Sequence, residues 1–333
     1  MTSRMRAPAI LIVGALAAVL VACAGSSGNL GSVPPPARTP ATSSGSVGSD
    51  LMPGPGVSPG PGMTPGTSTS AASPASPASP AIVPAGSTIV RAYFVLGGEP
   101  GTEGLAPVLR VVPQTPAVAT AAINALLAGP TAAESGLRTI TSAVPAGSTL
   151  LGLSIKNSVA TVNLSTEFDS GGGSTSMRYR LGQVVYTLTQ FPTVTSVLFQ
   201  VEGRTVTVFG SEGIVLDGPV GRADEADLLP DIFVDRPAYG AAIGNAARIT
   251  GNANVFEAAF RIALLDANGA ILLDQPVLAS CGTGCRGTFD VTLRYTVANG
   301  QWGTMRAYTP SAKDGSPVSV REYPVWLTPA NQP

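Results

Sequence analysis

Residues 24–87 constrain the chain most, because no hydrophobic core can be built from them. They hold Pro34-Pro35-Pro36, Pro53-Gly54-Pro55-Gly56 and the repeat Ser73-Pro74-Ala75-Ser76-Pro77-Ala78-Ser79-Pro80, with almost no aromatic or branched apolar residue to bury. Such a stretch reads as a tether whose root-mean-square reach as a flexible coil is roughly 45 Å, extended further by proline. Whatever folds is therefore expected downstream, in a length that suits two small domains. Charges nearly cancel, 19 basic against 20 acidic, so nothing suggests a phosphate-tracking surface and nucleic acid is not an expected partner. There is no histidine in the chain. Its absence removes the commonest general base, the usual metal-ligating imidazole and every Ser-His or Cys-His nucleophile pair, and no cofactor or metal is expected.

Upstream of the tether, Arg4 and Arg6 precede an uncharged apolar run over residues 7–21. This is the layout of a secretory signal, and roughly fifteen apolar residues fall short of the ~20 that span a bilayer as a helix. Leu20-Val21-Ala22-Cys23 closes the run and resembles the lipobox of bacterial lipoproteins. The resemblance implies removal of residues 1–22, lipidation of Cys23 with palmitate among the acyl groups, and anchorage on the extracytoplasmic face of the cell membrane. Two cysteines then remain, Cys281 and Cys285, around Gly282-Thr283-Gly284. An even remainder in an oxidising compartment favours a small structural disulfide. The alternatives are a metal pair or a redox motif, but the spacing lacks a second ligand pair and has one residue more than C-x-x-C.

The first domain is read over residues 88–218. Strands are expected over 89–96 and 105–112. A helix is expected to open at Thr115-Pro116 and end at Gly129-Pro130, with Ala119, Ala122, Ile123, Leu126 and Leu127 on one face. Thr131-x-x-Glu134 reads as a capping box for a second, short helix. Two alternating strands meet at Asn157-Ser158, and Met177, Leu181, Val184, Leu188 and Phe191 recur at helical spacing before Pro192. Val197, Phe199 and Val201 then alternate, with a return through Val206 and Val208. The expected architecture is an α+β domain with two helices on a small sheet. Leu126-Leu127-Ala128-Gly129-Pro130-Thr131, Val162-Asn163-Leu164-Ser165 with Glu167-Phe168, and the long run from Gly182-Gln183-Val184-Val185-Tyr186 to Gln190-Phe191-Pro192-Thr193-Val194 resemble the GerMN domain of sporulation and germination proteins. That family commonly has aspartate where Asn163 stands.

Residues 219–229 form an acidic connector, with Asp224, Glu225 and Asp227 read as a solvated linker because their spacing lacks the order of a calcium loop. Over residues 230–329 strands recur with turn signals and no helical pattern. Phe260, Ile262 and Leu264 alternate up to an Asn268-Gly269 hairpin, and Phe289 to Val297 is a clean period-two stretch. An all-β immunoglobulin-like sandwich is expected, followed by a tail at 330–333. Ile232-Phe233-Val234-Asp235-Arg236-Pro237 and Ile249-Thr250-Gly251-Asn252-Ala253-Asn254-Val255-Phe256-Glu257 resemble the immunoglobulin-like domain of bacterial spore germination proteins, which often accompanies GerMN.

Candidate site residues follow. Gln183, Thr187 and Gln190 share one helical face and, with Arg110, Glu167 and Arg180, are read as an interaction surface; the competing reading has Thr187 and Gln190 satisfying backbone groups. Glu167 and Asp169 invite a paired-carboxylate reading, which needs an apolar pocket to part their acidities, and none is evident. Trp302 and Trp326 are candidates for sugar-stacking platforms, or for packing. The expected function is a tethered, non-enzymatic assembly module of the envelope, partnered by an envelope protein or by its own copies; the alternative is a lipoprotein that binds peptidoglycan or another carbohydrate.

Overall fold

The computed structural model describes residues 83–138 and 140–329. The signal, Cys23, the tether as far as residue 82 and the tail from residue 330 lie outside the described residues. In the first half, β1 (Ser87–Leu96) pairs antiparallel with β2 (Gly104–Pro113), and α1 (Val118–Leu127) and α2 (Ala132–Arg138) lead to β3 (Ile140–Thr141), which meets only the end of β1. A hairpin of β4 (Leu150–Lys156) and β5 (Val159–Leu164) precedes α3 (Ser174–Leu188) and β6 (Ser196–Val201), which lies parallel to β5. Four two-residue strands follow: β7 (Arg204–Thr205), β8 (Val208–Phe209), β9 (Ile214–Val215) and β10 (Val220–Gly221).

The hairpin turns because Asn157 and Ser158 both take positive φ, 50° and 62°, as a two-residue type I′ loop requires. Ala160, Val162 and Leu164 of β5 are buried against Met177, Leu181, Val184 and Leu188 of α3 and the rest of a shared core. The capping box forms as expected: the Thr131 amide donates to Glu134 Oε2 (2.7 Å) and the Glu134 amide to Thr131 Oγ1 (3.4 Å). Two expectations are corrected. The first helix begins at Val118, because the Thr115 hydroxyl accepts from the Ala117 amide and makes a turn instead of a cap. The strands also divide among three sheets, β2-β1-β3, β10-β6-β5-β4 with β7 on β6, and the short pair β8-β9, and α1 and α3 both pack on β1.

The second half contains β11 (Ile232–Arg236), β12 (Ala242–Ile243), β13 (Ala247–Ala253), β14 (Ala259–Leu265), β15 (Ile271–Leu278), β16 (Gly287–Leu293), β17 (Gln301–Pro310) and β18 (Pro317–Leu327). Sheets of order β11-β13-β16 and β12-β18-β17-β14-β15 make a sandwich, in which Phe260 meets Phe289 edge-on at 5.0 Å. In the loop between β14 and β15 only Gly269 takes positive φ, and the Asp266 carboxylate accepts the Asn268 and Ala270 amides. The expected strand over 289–297 stops at Leu293, although Tyr295 and Val297 stay buried and the Tyr295 hydroxyl donates to the Ile243 carbonyl (2.6 Å). Cys281 and Cys285 are joined as a disulfide, with Cα atoms 6.0 Å apart.

Candidate functional site

One side of β1 is paired with β2, but on the other side β3 reaches only Val95 and Leu96. The backbone groups of Arg91 and Tyr93 would be left unmade there, at the full cost of burying an unsatisfied donor or acceptor. Helix α3 and the turn that follows it supply the missing partners from positions i, i+4 and i+7. Gln183 Nε2 donates to the Tyr93 carbonyl (2.9 Å) and Thr187 Oγ1 accepts from the Tyr93 amide (3.1 Å). Gln190 does both for Arg91, accepting its amide at Oε1 (2.9 Å) and donating to its carbonyl from Nε2 (2.6 Å). Three side chains thus take the place of a neighbouring strand. Gln183 also accepts the Ala143 amide (2.7 Å), which fixes the chain after β3.

These residues line no groove: Gln183 and Thr187 are fully buried, and the interaction surface read from the sequence is corrected to an internal ladder. Their spacing on one face is as expected, and the backbone they serve is that of β1 as well as the helix end, where Gln190 reaches the Thr187 carbonyl (2.6 Å). The other residues of that reading stand apart. Arg110 forms a two-pronged pair with Glu134, 2.8 Å on each side, above the Phe94 ring, and this pairing together with the capping bonds holds the Glu134 carboxyl below its usual range against the opposing effect of burial. Arg180 is buried and donates to the carbonyls of Ala143, Phe168, Ser170 and Gly171. Glu167 is exposed, and a hydrogen bond from Ser165 lowers its pKa, whereas Asp169 accepts the Gly210 amide (2.8 Å). The two carboxylates therefore have separate structural tasks. Asn163 accepts the Gly203 amide (2.8 Å), a role for which an uncharged side chain suffices.

A second polar cluster, not anticipated, joins the halves. Asp235 of β11 accepts from the Tyr93 hydroxyl and pairs with Arg91 (3.2 Å) and Arg222 (3.5 Å). Arg222 lies 4.6 Å above the Tyr186 ring and donates to the Tyr93 hydroxyl (3.2 Å), while Tyr186 meets Phe233 edge-on at 5.9 Å. Burial raises the Tyr93 pKa, with the Asp235 charge adding to it, and burial also pushes Tyr186 up to about 12. From the sandwich, buried Arg321 donates to the carbonyls of Thr102 and Leu105, and Tyr239 bridges to the free edge of β2 by bonding the Pro107 carbonyl (2.9 Å) and the Leu109 amide (3.2 Å). The connector is solvated only in part: Asp224 and Asp227 are exposed, as expected, but Glu225 between them is not. Leu228 and Leu229 pack into the junction beside Gly182, and Glu225 is 5 % exposed against Arg178 (3.3 Å). Burial pushes Glu225 up to about 7, with Arg178 opposing.

Trp302 and Trp326 are half-buried neighbours on β17 and β18, edge-on at 5.6 Å. Trp302 borders a cleft of about 480 Å³ that also involves Glu134 and Ile140 from the first half and Tyr239, Asp266 and Pro324 from the second. Among the described residues, no group of three or more His, Cys, Asp or Glu is placed to hold a metal ion, and no helix is long and apolar enough to cross a membrane.

Residues 91–207 match the Germane family model, described as sporulation and spore germination, and residues 231–316 match the immunoglobulin-like domain of bacterial spore germination. The chain is a germination-type protein, with a GerMN domain followed by an immunoglobulin-like domain. Solved structures similar to it include a putative lipoprotein from Clostridium perfringens, 22% identical over 43% of this chain and 93% of that one, with a TM-score of 0.30. The first GerMN domain of the sporulation protein GerM from Bacillus subtilis is 18% identical over 41% and 99%, TM-score 0.34. The tandem GerMN domains of the same protein are 15% identical over 63% of this chain and 61% of that one, TM-score 0.35. No curated protein matches. The α3 ladder therefore lies within the GerMN domain, and the Asp235 cluster joins that domain to its immunoglobulin-like neighbour. Of the junction residues only Gly182, Tyr186 and the stretch holding Phe233 and Asp235 lie in the motifs that carry the resemblance, and in sequence nothing marks them as facing each other.

Proposed function

We propose that this germination-type protein is an extracytoplasmic, membrane-tethered and non-enzymatic assembly module of the cell envelope, with Cys23 as its lipid anchor and residues 24–87 as a spacer. The observation that carries the reading is the inward use of the longest motif: Gln183, Thr187 and Gln190 are spent on the backbone of β1, where they build a rigid support and offer no polar group to a substrate. The bonded junction then holds the two domains as one body with fixed outer surfaces, which suits a protein that recognises other proteins. The sporulation and germination families it matches are consistent with an envelope location.

Metabolic labelling with palmitate tests the anchor: the wild-type chain should incorporate label and sediment with membranes, and Cys23→Ala should do neither. Unlabelled wild-type protein recovered in the soluble fraction would overturn the tether. A second reading, a peptidoglycan- or carbohydrate-binding lipoprotein, is favoured by one observation, the placement of Trp302 at the cleft between the domains. Cosedimentation with purified peptidoglycan that is lost on Trp302→Ala would select it over the assembly reading.

A further inference from the structure

Sheet edges are where an assembly module can meet a partner without new chemistry, since an edge strand presents a row of unpaired amides and carbonyls. Most edges of this molecule are closed among the described residues. The side chains of α3 and of Gln190 just after it cover Arg91 and Tyr93 of β1, Tyr239 covers β2 at Pro107 and Leu109, and β3, β10 and β12 are two residues long. Pro276 interrupts β15, and the Thr288 amide and carbonyl of β16 are bonded to Ser280. At the end of its sheet, β4 pairs only with β5; it contains no proline, its one charge is the terminal Lys156, and no hydrogen bond from elsewhere reaches its backbone among the described residues. Ile155 on this strand is 40% exposed, and Leu153 is half-buried.

The hairpin determines which groups of β4 are free. A two-residue type I′ turn makes its flanking pair, Lys156 and Val159, a hydrogen-bonded pair, and bonded pairs alternate along an antiparallel ladder. Ser154 and Gly152 therefore face β5 with their backbone groups, while those of Leu153 and Ile155 face outward. We propose that two copies of the chain pair antiparallel along β4, about a two-fold axis at Ser154. In that register Leu153 of each copy exchanges both its amide and carbonyl bonds with Ile155 of the other, and the two apolar side chains cover one another on one face of a continuous sheet. The interface is isologous and closes as a dimer. This rests on the assembly reading and names a second copy of the chain as the partner.

Ser154 is exposed, so a charge there leaves the fold intact and meets its own copy at the axis. Sedimentation equilibrium of the full chain in mild detergent, corrected for bound detergent, should show a concentration-dependent dimer. Ser154→Lys and Ser154→Asp should each weaken it by about tenfold or more, and an equimolar mixture of the two should restore it. Amides 153 and 155 should exchange more slowly in the dimer than in the monomer. A wild-type chain that stays monomeric at high micromolar concentration, a dimer indifferent to both charges, or a mixture that fails to recover overturns β4 pairing. The failure is distinguishable from that of the assembly reading, which falls instead if the wild-type chain, monomeric or not, binds peptidoglycan through Trp302.

Discussion

Thr187 spends one hydroxyl on one amide, and the amide belongs to a strand some ninety residues earlier in the chain. Thr187→Val keeps the shape and removes the acceptor, leaving the Tyr93 amide buried without a partner. The expected cost is about 1–3 kcal/mol, read as a lower urea midpoint with an unchanged m-value. At the neighbouring Gly182 the limit is steric. A Cβ there would lie 2.5 Å from Leu228 Cδ1 and 3.3 Å from Leu105 Cδ1, the ends of two buried side chains that must shift at a cost of about 1–3 kcal/mol. Alanine regains about 1 kcal/mol of helix propensity within α3, so Gly182→Ala should lower stability in the same measurement by no more than about 2 kcal/mol. Helical periodicity alone places Gln183, Thr187 and Gln190 on one face. It is silent on what that face meets, because β1 is distant in sequence and its free edge is a property of the sheet. Polar residues at such spacing read as a wet surface unless an unpaired strand is known to lie beneath them.

At the level of elements, local signals were legible and their tertiary uses were not. The turn at Asn157-Ser158, the Thr131–Glu134 box and the alternation in β5 all form from neighbours in sequence. The cysteine pair is likewise a local feature, but its surroundings give it a task. The Thr283 amide donates to the Val255 carbonyl and the Thr283 hydroxyl accepts from the Glu257 amide, each at 3.0 Å, while the Gly284 amide donates to Asn254 Oδ1 (3.1 Å). The loop thereby braces residues 254–258, where Glu257 and Ala258 hold positive φ and Phe256 is 75% exposed. So short a loop stabilises by about 2 kcal/mol at most in the chain-entropy account. Replacing Cys281 and Cys285 by serine should therefore lower the unfolding midpoint only modestly. Its main effect should be faster amide exchange confined to residues 254–258 and 281–285; a uniform rise across the sandwich would show that the bridge supports the whole domain.

Across the whole molecule, the junction decides whether two domains behave as one. Asp235 is shared by Tyr93, Arg91 and Arg222, so Asp235→Ala strands two cations and a buried hydroxyl, a loss of about 3–5 kcal/mol where such groups are removed from water. Unfolding followed separately by tyrosine and tryptophan signals should coincide in the wild type and part in the variant, since both tryptophans belong to the sandwich. The same seam makes stability depend on pH. Glu225 is raised from 4.5 to about 7 by burial, so between those values the folded state holds a proton that the unfolded chain has released. Its contribution is fully present below pH 4.5 and is lost as pH rises through 7, by at most about 3 kcal/mol and by less to the extent that Arg178 compensates the charge. Asp231, also raised by burial, adds a slope of the same sign. Glu225→Gln cannot ionise and should flatten the decline: its urea stability should fall less than that of the wild type between pH 5 and pH 8, the gap widening from about pH 5 to pH 7 and levelling off above it. Parallel curves for the two proteins would mean that the carboxylate is solvated in the folded state and that the connector does not seal the junction.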